Sequence, residues 1–189
     1  MTTSLNSKAS VILIILFFLC PVTSFAKEAR ISDLVISNTR DNLILFLKAQ
    51  GAFKEKTEKA VLTGVPVTIS FFITLSITRN MWFDKNIADI KVTHTIKYSA
   101  LKKEYIIYRS WDTNNPAITQ SFLEARKLMT EINSLEVVSL DRLKKGNQYK
   151  ISAKAKLNKQ TLPYYLHHIL FFLSLWNFET NWHTIHFVY

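Results

Sequence analysis

The clearest pattern in the chain is a strict alternation of apolar and polar positions over residues 65–79. Val65, Val67, Ile69, Phe71, Ile73, Leu75 and Ile77 fall on one side, and Pro66, Thr68, Ser70, Thr74, Ser76 and Thr78 on the other. Phe72 is the single intruder. Successive side chains of a strand point to opposite faces, so 65–79 predicts one half-buried strand, on the order of 50 Å long if unbroken. A strand of that length curves, or serves two sheets through a bulge. After a polar turn near Asp84-Lys85-Asn86 the alternation resumes, with Ala88, Ile90, Val92, His94, Ile96 and Tyr98 opposed to Asp89, Lys91, Thr93, Thr95 and Lys97. Leu101-Lys102-Lys103 then leads into Tyr105-Ile106-Ile107-Tyr108. Short polar connections suit hairpins, so these segments predict an antiparallel meander with one apolar and one wet face.

Shorter strands flank this centre. Residues 31–36 and 43–49 predict a hairpin around a polar turn at 38–42, and 135–140 and 149–157 lie either side of Lys144-Lys145-Gly146-Asn147. Residues 182–189 read as a closing strand. Three helices are predicted. The first, 53–62, carries a Glu55→Lys59 pair one turn apart and stops at Gly64, a C′ glycine. The second, 116–132, sets Ile118, Phe122, Ala125, Met129 and Ile132 on one stripe. Its start has two candidates, Asn115-Pro116 and a capping box at Ser121-x-x-Glu124. The third, about 162–173, begins with Pro163 and is apolar nearly all round. The expected fold is α+β: a mainly antiparallel, strongly curved sheet of about 7–8 strands around a central long meander, with about three helices packed on it.

The first 26 residues stand apart from this pattern. Lys8 precedes an apolar run from Val11 to Leu19, and Ser24-Phe25-Ala26 offers small residues where a signal peptidase reads. This predicts a signal peptide over 1–26 and a single domain over 27–189. The apolar run is short of the about 20 residues that span a bilayer. A retained signal anchor and a lipoprotein signal at Cys20 are the alternatives, the latter disfavoured by the bulky Phe17-Phe18-Leu19 before it. Cleavage after Ala26 removes the chain's one cysteine, leaving neither a disulfide nor a thiol nucleophile. The expected location is therefore the periplasm, with membrane association as the variant.

Charge narrows the partners. The net charge is +10, and the chain has only 3 Gly and 4 Pro, which argues against long linkers and glycine-rich phosphate loops. In an exported protein a basic surface faces an envelope protein or anionic membrane rather than nucleic acid.

Several short motifs together resemble a known family. They are Leu62-Thr63-Gly64-Val65-Pro66 at the entry to the long strand, Trp82 and Asp84 at its exit, and Tyr98…Leu101…Tyr105 at the next turn. Ser121-Phe122…Ala125, Leu157…Leu162-Pro163 and the late Trp176 and Trp182 complete the set. In order and spacing the chain resembles the bacterial DUF4390 family of exported proteins. The resemblance implies an exported envelope protein and supplies no catalytic residues.

The candidate chemistry is sparse. His183 and His186 share a face on a helix but oppose each other on a strand, and their neighbours favour a strand. His167-His168 has no nearby acid, and His94 falls on an apolar face as a core histidine. No Gly-x-Ser-x-Gly or Ser-x-x-Lys is present. No catalytic, cofactor or metal site is therefore expected. The candidate interaction surface is Trp82 and Asp84 at the hairpin exit, the outward Lys150, Lys154 and Lys156, and the aromatic Tyr164, Tyr165 and Trp176 of the apolar stretch 162–178. That stretch reads either as a helix buried on the sheet or as a membrane-surface or docking helix. The leading expectation is a non-enzymatic, protein-binding accessory module. A carrier or sensor of a lipid-like ligand and a peripheral membrane protein are the alternatives.

Overall fold

The computed structural model describes residues 29–53, 55–79, 83–158 and 178–189. The leader 1–26, the predicted third helix and Trp82, Tyr164, Tyr165 and Trp176 lie outside them.

The alternating segments form strands. In chain order these are β1 (Arg30–Asn38), β2 (Asn42–Gln50), helix α1 (Glu55–Leu62), β3 (Val67–Ile77), β4 (Lys85–Ser99), β5 (Glu104–Arg109) and β6 (Asp112–Thr119). Helix α2 (Phe122–Thr130), β7 (Glu131–Ser139), a 3₁₀ turn (Leu140–Arg142), β8 (Gln148–Leu157) and β9 (His183–Val188) follow. The expected β3–β4–β5 meander is present and antiparallel, with Ile73 opposite Ile90 and Ile96 opposite Ile107.

Two expectations are corrected among the described residues. The strands make two sheets rather than one: a six-stranded sheet in the order β6-β5-β4-β3-β8-β9 and a three-stranded sheet β1-β2-β7. Consequently β7 and β8, which flank the Lys144-Lys145-Gly146-Asn147 turn, belong to different sheets. Two helices fall within the described residues, at the first and second predicted positions. The second correction is the extent of the predicted helix at 116–132, which is a strand up to Thr119 and a helix only from Phe122. Pro116 is tolerated in β6 because that strand is an edge, where a missing N–H breaks no ladder. The second candidate start is the one used. Ser121 Oγ accepts the Glu124 N–H at 3.4 Å, and the Thr119 hydroxyl donates to the Glu124 carboxylate at 2.5 Å. Helix α1 closes as its sequence suggests. The Thr63 N–H reaches the Lys59 carbonyl at 3.1 Å, and Gly64 takes φ +84°, a conformation that a Cβ disfavours.

The core lies between the two sheets. Ile69, Phe71, Ile73 and Leu75 of β3 are at most 1% exposed, and they join one buried cluster with Leu45 and Leu47 of β2, Ile132 and Leu135 of β7, and Ala125 and Met129 of α2. The apolar face of β3 is thus covered by a second sheet and a helix together. Aromatic edges seal one end, where Phe53 meets Phe122 with centroids 6.2 Å apart and Phe122 meets Tyr105 at 5.6 Å.

Candidate interaction surfaces on the six-stranded sheet

Register decides where the outward side chains of the six-stranded sheet meet. On the wet face, Lys91 of β4, Phe72 of β3 and Lys154 of β8 lie directly across from one another. Lys91 Nζ sits 5.6 Å from the Phe72 ring centroid, and Lys154 Nζ sits 5.7 Å from that of Trp182. The row therefore alternates cation and aromatic, an attractive arrangement between ammonium and ring face. Phe72, the intruder in the alternation, is half-buried by this row. Lys97 repeats the contact over Tyr108 at 5.3 Å.

Lys150, Lys154 and Lys156 do share one face, and each has an acidic partner. Lys150 pairs with Asp84 at the end of the β3–β4 connection, and Glu179 bridges Lys154 and Lys156, the latter at 3.0 Å. The hydrogen bond from Lys150 holds the Asp84 carboxyl below the usual carboxylate range, and those from Lys154 and Lys156 do the same for Glu179. A lysine row that looks bare in the sequence is therefore largely neutralised.

The end of the sheet at the β3–β4 connection has a different character. Phe83 is 90% exposed there, beside Asp84 and ahead of Lys85. Arg142 donates to the Ile87 carbonyl at 3.0 Å, which brings the 3₁₀ turn against the start of β4. The Tyr149 hydroxyl accepts the Lys144 N–H at 2.7 Å, and Gly146 N–H reaches the Tyr189 carbonyl at 2.5 Å. An exposed aromatic ring and the cations Lys85, Arg142, Lys144 and Lys145 thus share one end, with their loops tied to β8 and β9.

The histidines separate clearly. His183 pairs with Ala153 and His186 with Lys150, so they point to opposite faces of β9. His94 is fully buried between the Phe71 and Trp111 rings, at 5.0 and 4.9 Å. Its Nδ1 lies 3.1 Å from the Met129 carbonyl, which accepts its proton, while Nε2 has no partner among the described residues. Burial pushes its pKa down to about 4, so it is uncharged in the fold at neutral pH.

Sequence reasoning missed one feature, an open groove of about 500 Å³ along α2 walled by Lys48, Leu123, Arg126, Lys127 and Glu131. Lys48 and Glu131 close one side with an ion pair at 2.8 Å. The groove lies between α2 and the ends of β2 and β7, whose pairing, from Lys48 with Glu131 to Asn42 with Ser139, is too distant in sequence for any local pattern to announce.

A family model described as "Domain of unknown function (DUF4390)" matches residues 26–186. The chain belongs to this family. The DUF4390 match spans both sheets and both helices, so it covers the hairpin end and the cation–aromatic row alike. No curated protein and no solved structure matches the chain.

Proposed function

We propose that this DUF4390 chain is an exported envelope protein that works without catalysis, by binding another protein through the β3–β4 end of its six-stranded sheet. The observation that carries the reading is Phe83, an aromatic side chain 90% exposed on a connection whose two strands stay paired, through one irregularity after Leu75, up to Ile77 opposite Lys85. Aromatic side chains ringed by cations are the composition of interface anchors. The Asp84–Lys150 pair holds the connection, and the aromatic Trp82 adjoins it in the sequence. Export rests on the leader at 1–26.

A carrier of a lipid-like ligand finds less support. The inward side chains of β3 are packed against those of β2, β7 and α2, and the groove along α2 is open to solvent. A greasy ligand prefers a pocket that encloses most of its surface.

The test is a photoreactive phenylalanine at position 83, with a control at the exposed Val35, crosslinked in intact cells. A discrete protein adduct from position 83 that is missing from position 35 is the expected result. Equal labelling from both positions, or no adduct from position 83, refutes the reading.

A further inference from the structure

The two long stretches outside the described residues join the domain at the same end. The first, 1–28, enters at β1, whose first residue Arg30 lies opposite Gln50, the last residue of β2. From the end of β2 the chain runs on to Phe53, whose ring meets Phe122 and through it Tyr105, at the start of β5. The second, 159–177, leaves after Asn158, whose N–H reaches the Thr68 carbonyl at 2.8 Å at the start of β3, and returns at Phe178, whose carbonyl accepts the Leu157 N–H at 2.9 Å. Thr68 pairs with Thr95, and Tyr105 with Tyr98, both in the final third of β4. Both junctions therefore sit at the Ser99 end of β4. Phe83 precedes Lys85, the other end of that strand. At 15 residues, β4 separates the two ends by about 50 Å.

The junction end also carries an apolar tip flanked by cations. Leu101, in the β4–β5 turn, is 95% exposed. Lys102 and Lys103 follow it, Lys102 70% exposed and 3.7 Å from Glu104. The second of these stretches, which remains once the leader is removed, is rich in large apolar residues: Tyr164, Tyr165, Phe171, Phe172 and Trp176.

We propose that this end, with Leu101, Lys102 and Lys103 at its tip, docks on an anionic lipid bilayer and turns the Phe83 end away from the membrane. Lysines beside an exposed apolar side chain fit a bilayer, because the chain enters the interface while the ammonium groups meet lipid phosphates. The wet face of the sheet fits it less well, since Asp84 and Glu179 already occupy its lysines. The inference goes beyond the protein-binding reading and does not depend on it.

The test places an environment-sensitive fluorophore at Leu101→Cys or at Phe83→Cys in the chain of residues 27–189 that cleavage leaves, which has no other cysteine. Vesicles are phosphatidylcholine with phosphatidylglycerol and a nitroxide-bearing lipid, at low salt where surface charge acts furthest. The expected result is a blue shift and quenching at position 101 and neither at position 83. The double variant Lys102→Glu, Lys103→Glu, with an unchanged unfolding midpoint, should lower affinity at least about thirtyfold, since each lysine contributes about 1 kcal/mol at the surface and its reversal adds repulsion. A response at position 83, equal responses at both, or none at position 101 overturns the proposal. So does a response at position 101 that needs an added envelope protein, which assigns that end to a protein partner. The crosslinking at position 83 is read separately, so either proposal can fail without the other.

Discussion

The two faces of β3 make an instructive pair, because both are largely shielded from water and only one is a core. On the inner face Ile69, Phe71, Ile73 and Leu75 are at most 1% exposed and packed into the common cluster. On the outer face the buried positions are polar, with Ser70 0% and Ser76 6% exposed. Ser70 Oγ donates to Asn158 Oδ1 at 2.8 Å, and the Thr68 and Thr95 hydroxyls meet at 2.8 Å. Small hydroxyl side chains there lie between the long side chains of neighbouring strands, Lys91 on one side and Lys154 and Lys156 on the other. Burial by itself therefore does not identify what holds this fold. Apolar side chains interlocked across two sheets do so on one face; small hydroxyl side chains, hydrogen-bonded at Thr68 and Ser70, fill much of the other.

The sharpest way to break the comparison is to open the inner face. Ile73→Ala removes side-chain volume from a site 1% exposed, between Ile90 of β4 and Ala153 of β8. Lost burial plus an unfilled cavity should cost about 2–5 kcal/mol, read from chemical denaturation. A loss as small as that of an outer-face variant would mean that the inner face is not the core.

The second test uses His94 of β4, whose ring packs against Phe71 of that inner face. It is neutral in the fold down to about pH 4, whereas the unfolded chain takes up the proton near its ordinary value of 6.5. Between those values the unfolded state binds more protons, so stability falls as the pH is lowered from 6.5 to 4, by about 3 kcal/mol in all. Above pH 6.5 both states are neutral at this position, and stability is flat with respect to it. The lowered carboxyls of Asp84 and Glu179 act in a lower window, because their stabilisation is lost only as pH falls below their ordinary values, 3.8 and 4.5, through the folded ones. The positive charge of Arg109 reinforces the depression at His94. His94→Gln keeps an N–H for the Met129 carbonyl and removes the titration, so the slope between pH 6.5 and 4.5 should vanish. A slope that survives in this variant would place its origin elsewhere.

The sequence shows some of this contrast directly and hides the rest. Period-two alternation reveals β3, β4 and β8 and sorts their faces correctly, because face assignment depends only on neighbours in the chain. It also marks Phe72 as the one residue out of pattern, and Phe72 is the centre of the cation–aromatic row. Pairing is hidden. Nothing in residues 43–49 or 135–140 says that they join each other in a separate sheet, since that choice is made by side chains far apart in sequence. The lysine row fails for the same reason: Lys150 and Asp84 are 66 positions apart, so a face that reads as basic is partly neutral in the fold. At Asn115-Pro116 and Ser121-x-x-Glu124 two helix starts of similar local quality compete. Pairing of Ile118 with Ile106 and Thr119 with Tyr105 in the sheet selects the second.

The finest test compares Phe72→Ala with Thr74→Ala, two outer-face changes one step apart on β3. Phe72 is half-buried, with Lys91 over its ring and Lys154 directly opposite on β8, so truncation loses both apolar contact and the cation–ring attraction. About 1–2 kcal/mol is expected, below the range for a fully buried aromatic side chain because part of the ring already meets water. Thr74 faces Asp89 and Ser152 across the same sheet, in a row with no aromatic ring. Its truncation should cost under about 1 kcal/mol. Equal losses would mean that the row at Phe72 adds nothing beyond strand preference. A loss at Thr74 near that of Ile73→Ala would mean that β3 is a core strand on both faces, and the distinction between interlocked and hydroxyl-filled burial would then be void.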